Sequence, residues 1–222
     1  MSRYILISDV HGCLVELEEL LLKVELDYNH DTVIFLGDLI DKGRHGPEVV
    51  KYVRDLSTRV PLIYLRGNHE DVNIRFWKHE KHFRETGEEN PMSHRANADN
   101  LRQDMERMSS EDKDFVLSSI LFHRIPECNA LAVHAGIPPW LETLPENPDR
   151  KQLKVLQQVM RIRSVRNGKS VKLSDIQPDD TFWAELYDGR FGTVYYGHRV
   201  LDSEHPAIHA HSVGFDLGCV YG

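Results

Sequence analysis

The sequence predicts an α/β fold built around a mostly parallel sheet. Two observations carry that expectation. In the N-terminal third, short apolar runs alternate with amphipathic segments of helical period, the order that βαβ units require. Each apolar run also ends in turn residues mixed with Asp, Asn or His, and in parallel sheets sites form outside the carboxyl ends of the strands. At 222 residues the chain suits one domain, 1–222, large enough to bury its own core.

The elements follow in order. The run at 4–8 reads as a buried strand, and it meets Asp9 too early to be the apolar region of a signal peptide. Residues 14–24 (LVELEELLLKV) read as an amphipathic helix, and 32–36 as a second strand. Residues 47–56 (PEVVKYVRDL) form a helix with proline in its first turn. The run VPLIYL at 60–65 is the third strand, and the chain turns helical again from His69. From 71 to about 123 it is polar, charged and helix-leaning, which predicts a helical insertion over the sheet edge. A strand at 130–133 ends in His134-Ala135-Gly136, and a helix near 151–160 leads into Arg161-Ile162-Arg163. After a polar stretch at 166–180, a strand at 193–196 ends in Gly197-His198, and short apolar runs follow at 206–211 and 213–217.

Composition excludes several classes. Hydrophobic content of 41% and charged content of 28% are ordinary for a globular protein. No apolar run approaches the roughly 18 to 20 residues of a membrane span, so no membrane partner is expected. A net charge of −8 disfavours nucleic acid as a partner, because nonspecific binding depends on basic surface. A small anionic substrate stays open, since a metal or a few arginines can reverse the local field. Cys13, Cys128 and Cys219 are widely spaced and odd in number, which suits free thiols in a reducing, cytoplasmic setting.

The chemistry concentrates at strand ends. "SDVHG" (8–12), "GDLIDKG" (37–43), "RGNHE" (66–70), "VHAG" (133–136) and "YGH" (196–198) repeat one pattern five times. Each pairs a glycine with Asp, Asn or His after an apolar run. Any one alone is ordinary turn chemistry. Together they are hard to explain that way, and glycine permits the close backbone approach that metal loops need. His79 and His82, an i, i+3 pair, lack an obvious third ligand and read as a solvated helix face. Trp77, Trp140 and Trp183 read as packing residues.

This set resembles the calcineurin-like metallophosphoesterases, and within them the phosphoprotein phosphatase superfamily. "MRIRSV" (160–165), "FWAELYDG" (182–189) before "YYGH", and "GFDLGCVYG" (214–222) are similar to the bacterial branch related to symmetrical diadenosine-tetraphosphatases. The resemblance implies mixed sheets in a β-sandwich flanked by helices. It also implies two divalent metal ions: Asp9 and His11 on the first, Asp38 bridging, and Asn68, His134 and His198 on the second. Carboxylate, imidazole and amide oxygen together suit manganese, with iron, zinc, cobalt or nickel as alternatives. In such a site a bridging hydroxide attacks phosphorus directly. His69 takes the role of general acid and Asp41 that of its partner. Arg66, Arg161 and Arg163 would hold phosphate oxygens with their forked guanidinium groups. Many members carry Arg where this chain has Lys42, so a bidentate phosphate contact becomes a point charge here. Relatives usually run on through another strand beyond "CVYG", so either the last strand is absent or the chain has been trimmed.

The activity expected is hydrolysis of nucleotide polyphosphates of the diadenosine tetraphosphate type. The alternatives are a phosphoprotein Ser/Thr or Tyr phosphatase and a polyphosphatase. A noncatalytic binding protein fits less well, because every matched ligand, the acid and its partner are present.

Overall fold

The computed structural model describes residues 3–145 and 147–222. The first sheet holds β1 (Arg3–Ile7), β2 (Asp31–Phe35) and β3 (Leu62–Tyr64), all parallel and in that order. The crossovers are α1 (Leu14–Lys23) and α2 (Gly46–Ser57). Strand alternation sorts side chains between two layers. Val33 and Phe35 pack with Leu17, Leu21, Val50 and Val53 of the helices. Ile34 and Leu36 instead pack with Ile125, Ala130 and Ala132 of a second sheet.

Three helices follow: α3 (Asn68–Thr86), α4 (Ala98–Arg107) and α5 (Ser110–Leu117). Phe76, Leu101, Met105 and Val116 join them to the helical layer of the first sheet. The α5 start is set by Ser109, whose hydroxyl accepts from Asp112 N while the Asp112 carboxylate accepts from Ser109 N, each at 3.1 Å. Helix ends at Leu117, before the expected 123, because Ile120 is drawn into the first sheet. Its N–H donates to Tyr64 O at 3.0 Å, and its carbonyl accepts from Arg66 N.

The remaining elements are β4 (Phe122–Ile125), β5 (Ala130–Val133), α6 (Arg150–Leu156), β6 (Ser164–Arg166), β7 (Lys169–Ser170), β8 (Thr181–Phe182), α7 (Trp183–Leu186), β9 (Thr193–Tyr196), β10 (Ala207–His209) and β11 (Ser212–Gly214). The second sheet runs β10-β11-β9-β5-β4. Its central strands β5, β9 and β11 are parallel, with antiparallel pairs at the edges. Leu131, Val133, Val194 and Tyr196 turn away from the first sheet into a third apolar layer around the fully buried Trp183. The two sheets thus form a sandwich with mixed strand directions.

Two local expectations are corrected. The helix read at 151–160 stops at Leu156 and tightens into a 3-10 turn over Gln157–Met160. The polar stretch at 166–180 builds a small third sheet, β7-β6-β8, clasped by Arg166 to both oxygens of Asp180 at 2.5 and 2.7 Å. The run at 213–217 is strand only to Gly214, since Asp216 accepts from Gly218 N at 3.0 Å and turns the chain. Among the described residues, no helix is long and apolar enough to cross a membrane.

Candidate metal centre

Every strand that carries a motif delivers it at its carboxyl end, and the two sheets bring those ends together. Asp9 and His11 follow β1, Asp38 and Asp41 follow β2, and Asn68 and His69 open α3 just after β3. His134 and His198 follow the adjacent parallel strands β5 and β9. The loops are tied to each other through the backbone. His11 N donates to Asp38 O at 2.8 Å, Gly12 N to Leu39 O at 2.9 Å, and Gly197 N to His134 O at 2.8 Å.

These loops are strained. Of eight non-glycine residues with positive φ among the described residues, five are His11, Asp38, Asp41, Lys42 and His198. Left-handed backbone costs an L-residue about 1–2 kcal/mol, and strain of this kind concentrates at functional sites. The glycine of RGNHE has a different cause. A Cβ on Gly67 would stand 2.0 Å from Asp38 Oδ1, so only glycine lets the two loops approach this closely.

The side-chain geometry converges on Asp38. Its Oδ2 lies 3.4 Å from His134 Nε2, 3.7 Å from His11 Nε2 and 3.9 Å from His69 Nε2. Its Oδ1 accepts from His69 N at 2.9 Å. The imidazole tautomers are set by what their Nδ1 atoms touch. His11 Nδ1–H donates to Ile40 O at 3.0 Å and His134 Nδ1–H to Leu36 O at 2.8 Å, so both Nε2 lone pairs point inward. His134 Nε2 is 3.1 Å from both Asn68 Oδ1 and His198 Nδ1. Asp9 Oδ1 is 4.0 Å from His11 Nε2, while its Oδ2 accepts from His198 N at 2.9 Å. His69 Nδ1 stands 2.7 Å from Asp41 Oδ2.

Two residues that steady this arrangement were not assigned to the site from sequence. Glu70 is fully buried and reaches across to the neighbouring loop. It accepts from Gly67 N, Asp38 N and Leu39 N, each at 2.8 Å, locking the β2 loop to the start of α3. Asn73 lies one turn after His69 on the same helix face, and its Nδ2 donates to Asp41 Oδ1 at 3.1 Å. The i, i+4 spacing was the signal available for it.

The donor set fits divalent cations. Two groups of ligand atoms converge, His11–Asp38–His69 and Asp38–His134–His198, with Asp38 common to both. The field is strongly negative. Burial alone pulls the His134 imidazolium down, yet the charges of Asp38 and Asp9 outweigh it and hold its pKa at about 9. Burial pushes the Asp38 carboxyl up, but the surrounding imidazoles His134, His69 and His11 bring it well below the usual carboxylate range. The His69 imidazolium, opposed by burial, is raised overall by its bond to Asp41 and by the Asp38 charge. A bound cation would displace the His134 proton, and inward imidazole nitrogens beside buried carboxylates are then a coordination shell in chemical terms.

The family model for calcineurin-like phosphoesterases matches residues 2–215 of this sequence. The chain belongs to the calcineurin-like phosphoesterase family. Similar curated proteins include the bis(5'-nucleosyl)-tetraphosphatase PrpE [asymmetrical] of Oceanobacillus iheyensis, 28% identical over 98% of this chain and 84% of that protein. The symmetrical bis(5'-nucleosyl)-tetraphosphatase of Yersinia enterocolitica is 47% identical, over 32% of this chain and 23% of its own length. Among solved structures, a candidate diadenosine tetraphosphatase superposes with a TM-score of 0.74 at 23% identity, covering 100% of this chain and 86% of that one. A cold-active protein-tyrosine phosphatase of a Shewanella species superposes at 0.64 with 17% identity, covering 100% and 73%. At those identities the superpositions show the fold alone. Membership of this phosphoesterase family implies hydrolysis of phosphate esters or anhydrides with divalent metal ions at the centre described.

The cationic residues expected to hold phosphate in this phosphoesterase divide. Arg66 is tied to the protein itself. Its guanidinium donates to Ser119 Oγ at 3.0 Å and to the carbonyls of Leu117 and Ser119 at 2.9 Å each, so it fastens the segment after α5 to the sheet. Arg161 and Arg163 do border the centre. With Asn68, His198 and Lys172 they line a cavity of about 360 Å³. Arg163 Nη1 donates to His198 O at 3.0 Å, and Arg161 pairs with Asp71 at 2.6 Å. Lys172 was missed because the stretch around it carried no strand signal. Lys42 Nζ lies 2.9 Å from His11 Nε2 and 5.3 Å from the Tyr221 ring centroid.

Proposed function

We propose that this chain is a dinuclear metal-dependent phosphohydrolase whose substrates are nucleotide polyphosphates of the diadenosine tetraphosphate type. The observation that carries the reading is Asp38 Oδ2, ringed by Nε2 of His11, His69 and His134, with His69 held in turn by Asp41 through its other ring nitrogen. Asp9 and His11 would hold one ion, Asn68, His134 and His198 the other, and Asp38, common to both ligand groups, would serve both. Manganese suits this mixture of carboxylate, imidazole and amide oxygen. Two such ions supply a water of lowered pKa and Lewis-acid stabilisation of the phosphoryl oxygens.

The chain's own residues do the rest. Asp41 holds the His69 Nδ1–H, which leaves Nε2 to carry the proton passed to the departing oxygen. Arg161, Arg163 and Lys172 present fixed positive charge to the phosphate chain along one flank. Cavities beside the centre suit a compact anion better than a protein surface, and the long curated relatives carry tetraphosphatase names. Three free thiols support work in the reducing cytoplasm.

The test is a kcat/KM panel on the manganese-loaded protein, over diadenosine tetraphosphate, nucleoside triphosphates, inorganic polyphosphate and phosphopeptides. Diadenosine tetraphosphate is expected to lead. Its products separate symmetrical cleavage, giving two ADP, from asymmetrical cleavage, giving ATP and AMP. A lead for phosphopeptides would overturn the reading.

A further inference from the structure

A second cavity, about 410 Å³ and sharing no lining residue with the Arg161–Arg163 cavity, opens beside the centre where His69 and Asp41 stand. That volume lies within the usual range for small-molecule sites. Its chemistry differs from the Arg161–Arg163 side. The motif loop contributes Lys42 and Arg44, both exposed. Among the described residues, the Arg44 guanidinium has no ion pair or hydrogen bond, whereas Arg107 beside it is spent on Asp104 and Glu48. The α4 helix contributes three carboxamides: Asn97 at its N-cap, then Asn100 and Gln103. Spacing of three puts them along one helix face. The Asn100 and Gln103 amides are exposed and have no hydrogen-bond partner among the described residues.

Position gives these groups their meaning. When the bond between phosphorus and the bridging oxygen breaks, the electron pair stays on that oxygen and the proton comes from His69. Whatever departs therefore leaves past His69, into this cavity. The leaving group of a phosphopeptide or an aryl phosphate is a neutral hydroxyl once protonated, and the cations Lys42 and Arg44 would have no charge on it to meet. The leaving group of a polyphosphate carries further phosphates, which Lys42 and Arg44 match. Carboxamides offer a paired donor and acceptor, the complement of an adenine N6/N7 edge.

We propose that this cavity is the leaving-group subsite and takes a nucleoside phosphate, with Lys42 and Arg44 on its phosphates and Asn100 and Gln103 on its base. The proposal rests on the phosphohydrolase reading above and adds the identity of the departing half. Three substrates of the full-length manganese enzyme separate the two: diadenosine tetraphosphate, inorganic tripolyphosphate and p-nitrophenyl phosphate. The double variant Asn100→Ala, Gln103→Ala is expected to lower kcat/KM for the dinucleotide about tenfold more than for tripolyphosphate, which has no base to lose. Arg44→Gln is expected to lower both polyphosphates about tenfold more than the aryl ester, the worth of one charged hydrogen bond. Matching thermal melts would confirm that these surface changes leave the fold intact. If either variant lowers all three substrates equally, or none, the subsite assignment fails and the phosphohydrolase reading stands. If the wild-type protein cleaves only the aryl ester, both fail.

Discussion

His69 Nδ1 and Asp41 Oδ2 stand 2.7 Å apart, and Asn73 Nδ2 holds the second Asp41 oxygen at 3.1 Å. The carboxylate is therefore fixed from two sides and cannot turn toward the metal ligands. Its effect on activity passes through the imidazole. Asp41→Asn is expected to lower kcat by about two to four orders of magnitude, the range of general acid catalysis, with metal content unchanged. Elemental analysis alongside steady-state kinetics checks this, and parallel loss of metal would refute it.

His69 Nε2 stands 3.9 Å from Asp38 Oδ2, within one ligand group, so their roles need separating. Asp38→Asn is expected to lose bound manganese, since Asp38 is common to both ligand groups. His69→Asn is expected to retain it and lose turnover. Equal manganese content in the two purified variants would make His69 no different from Asp38.

Lys42 places an ammonium 2.9 Å from His11 Nε2, on the lone pair a cation would use. A cation binding there displaces it. Lys42→Met is accordingly expected to tighten binding of the first manganese about tenfold, the value of one charge-assisted hydrogen bond removed from the competing state. Chelator-competition titration measures it, and an unchanged affinity would mean that the contact has no energetic weight.

Glu70 satisfies three backbone N–H groups in a place water does not reach. Glu70→Ala strands all three, and each unmet buried donor costs about 1–3 kcal/mol, so a loss of about 3 kcal/mol or more is expected. Urea unfolding with the metal removed isolates this from ligand effects. A loss near zero would show that the loop relaxes freely.

A pH dependence follows from the far end of β1. Asp31 bonds Arg3 at 2.6 and 2.9 Å, which holds its pKa at about 2, below the ordinary 3.8. A depressed carboxyl stabilises the fold above its unfolded pKa and loses that contribution as pH falls toward its folded one. The stability gap between wild type and Asp31→Asn is therefore expected to be full near about pH 6 and to shrink by about pH 3. Urea midpoints at both values test it, and a gap that widened in acid would reverse the sign.

Much of this molecule was legible because its chemistry sits at strand ends. The apolar runs before Asp9, Asp38, Asn68, His134 and His198 marked β1, β2, β3, β5 and β9 to within a residue or two. Glycine beside a ligand-type residue then marked the loops. What stayed hidden depended on distance through space. Nothing near Arg66 announces a partner 53 positions later at Ser119, so the structural bond of the arginine most firmly embedded in a motif was invisible in the sequence. The face of α4 that meets the centre was equally silent, because Asn100 and Gln103 look like any solvated helix until the fold sets them beside His69. The third sheet was missed for a related reason: two-residue strands are held by Arg166 and Asp180 rather than by an apolar pattern.

The left-handed backbone at His11, Asp38, Asp41, Lys42 and His198 also bears on how this protein can be altered. Glycine at any of them would relieve local tension, and selection for heat resistance would find those changes early. The survivors would melt later and turn over more slowly. An engineer seeking a robust variant should therefore hold these five positions constant and harvest tolerance from the outer faces of the helices, where side chains face water and the loops around Asp38 keep their tension.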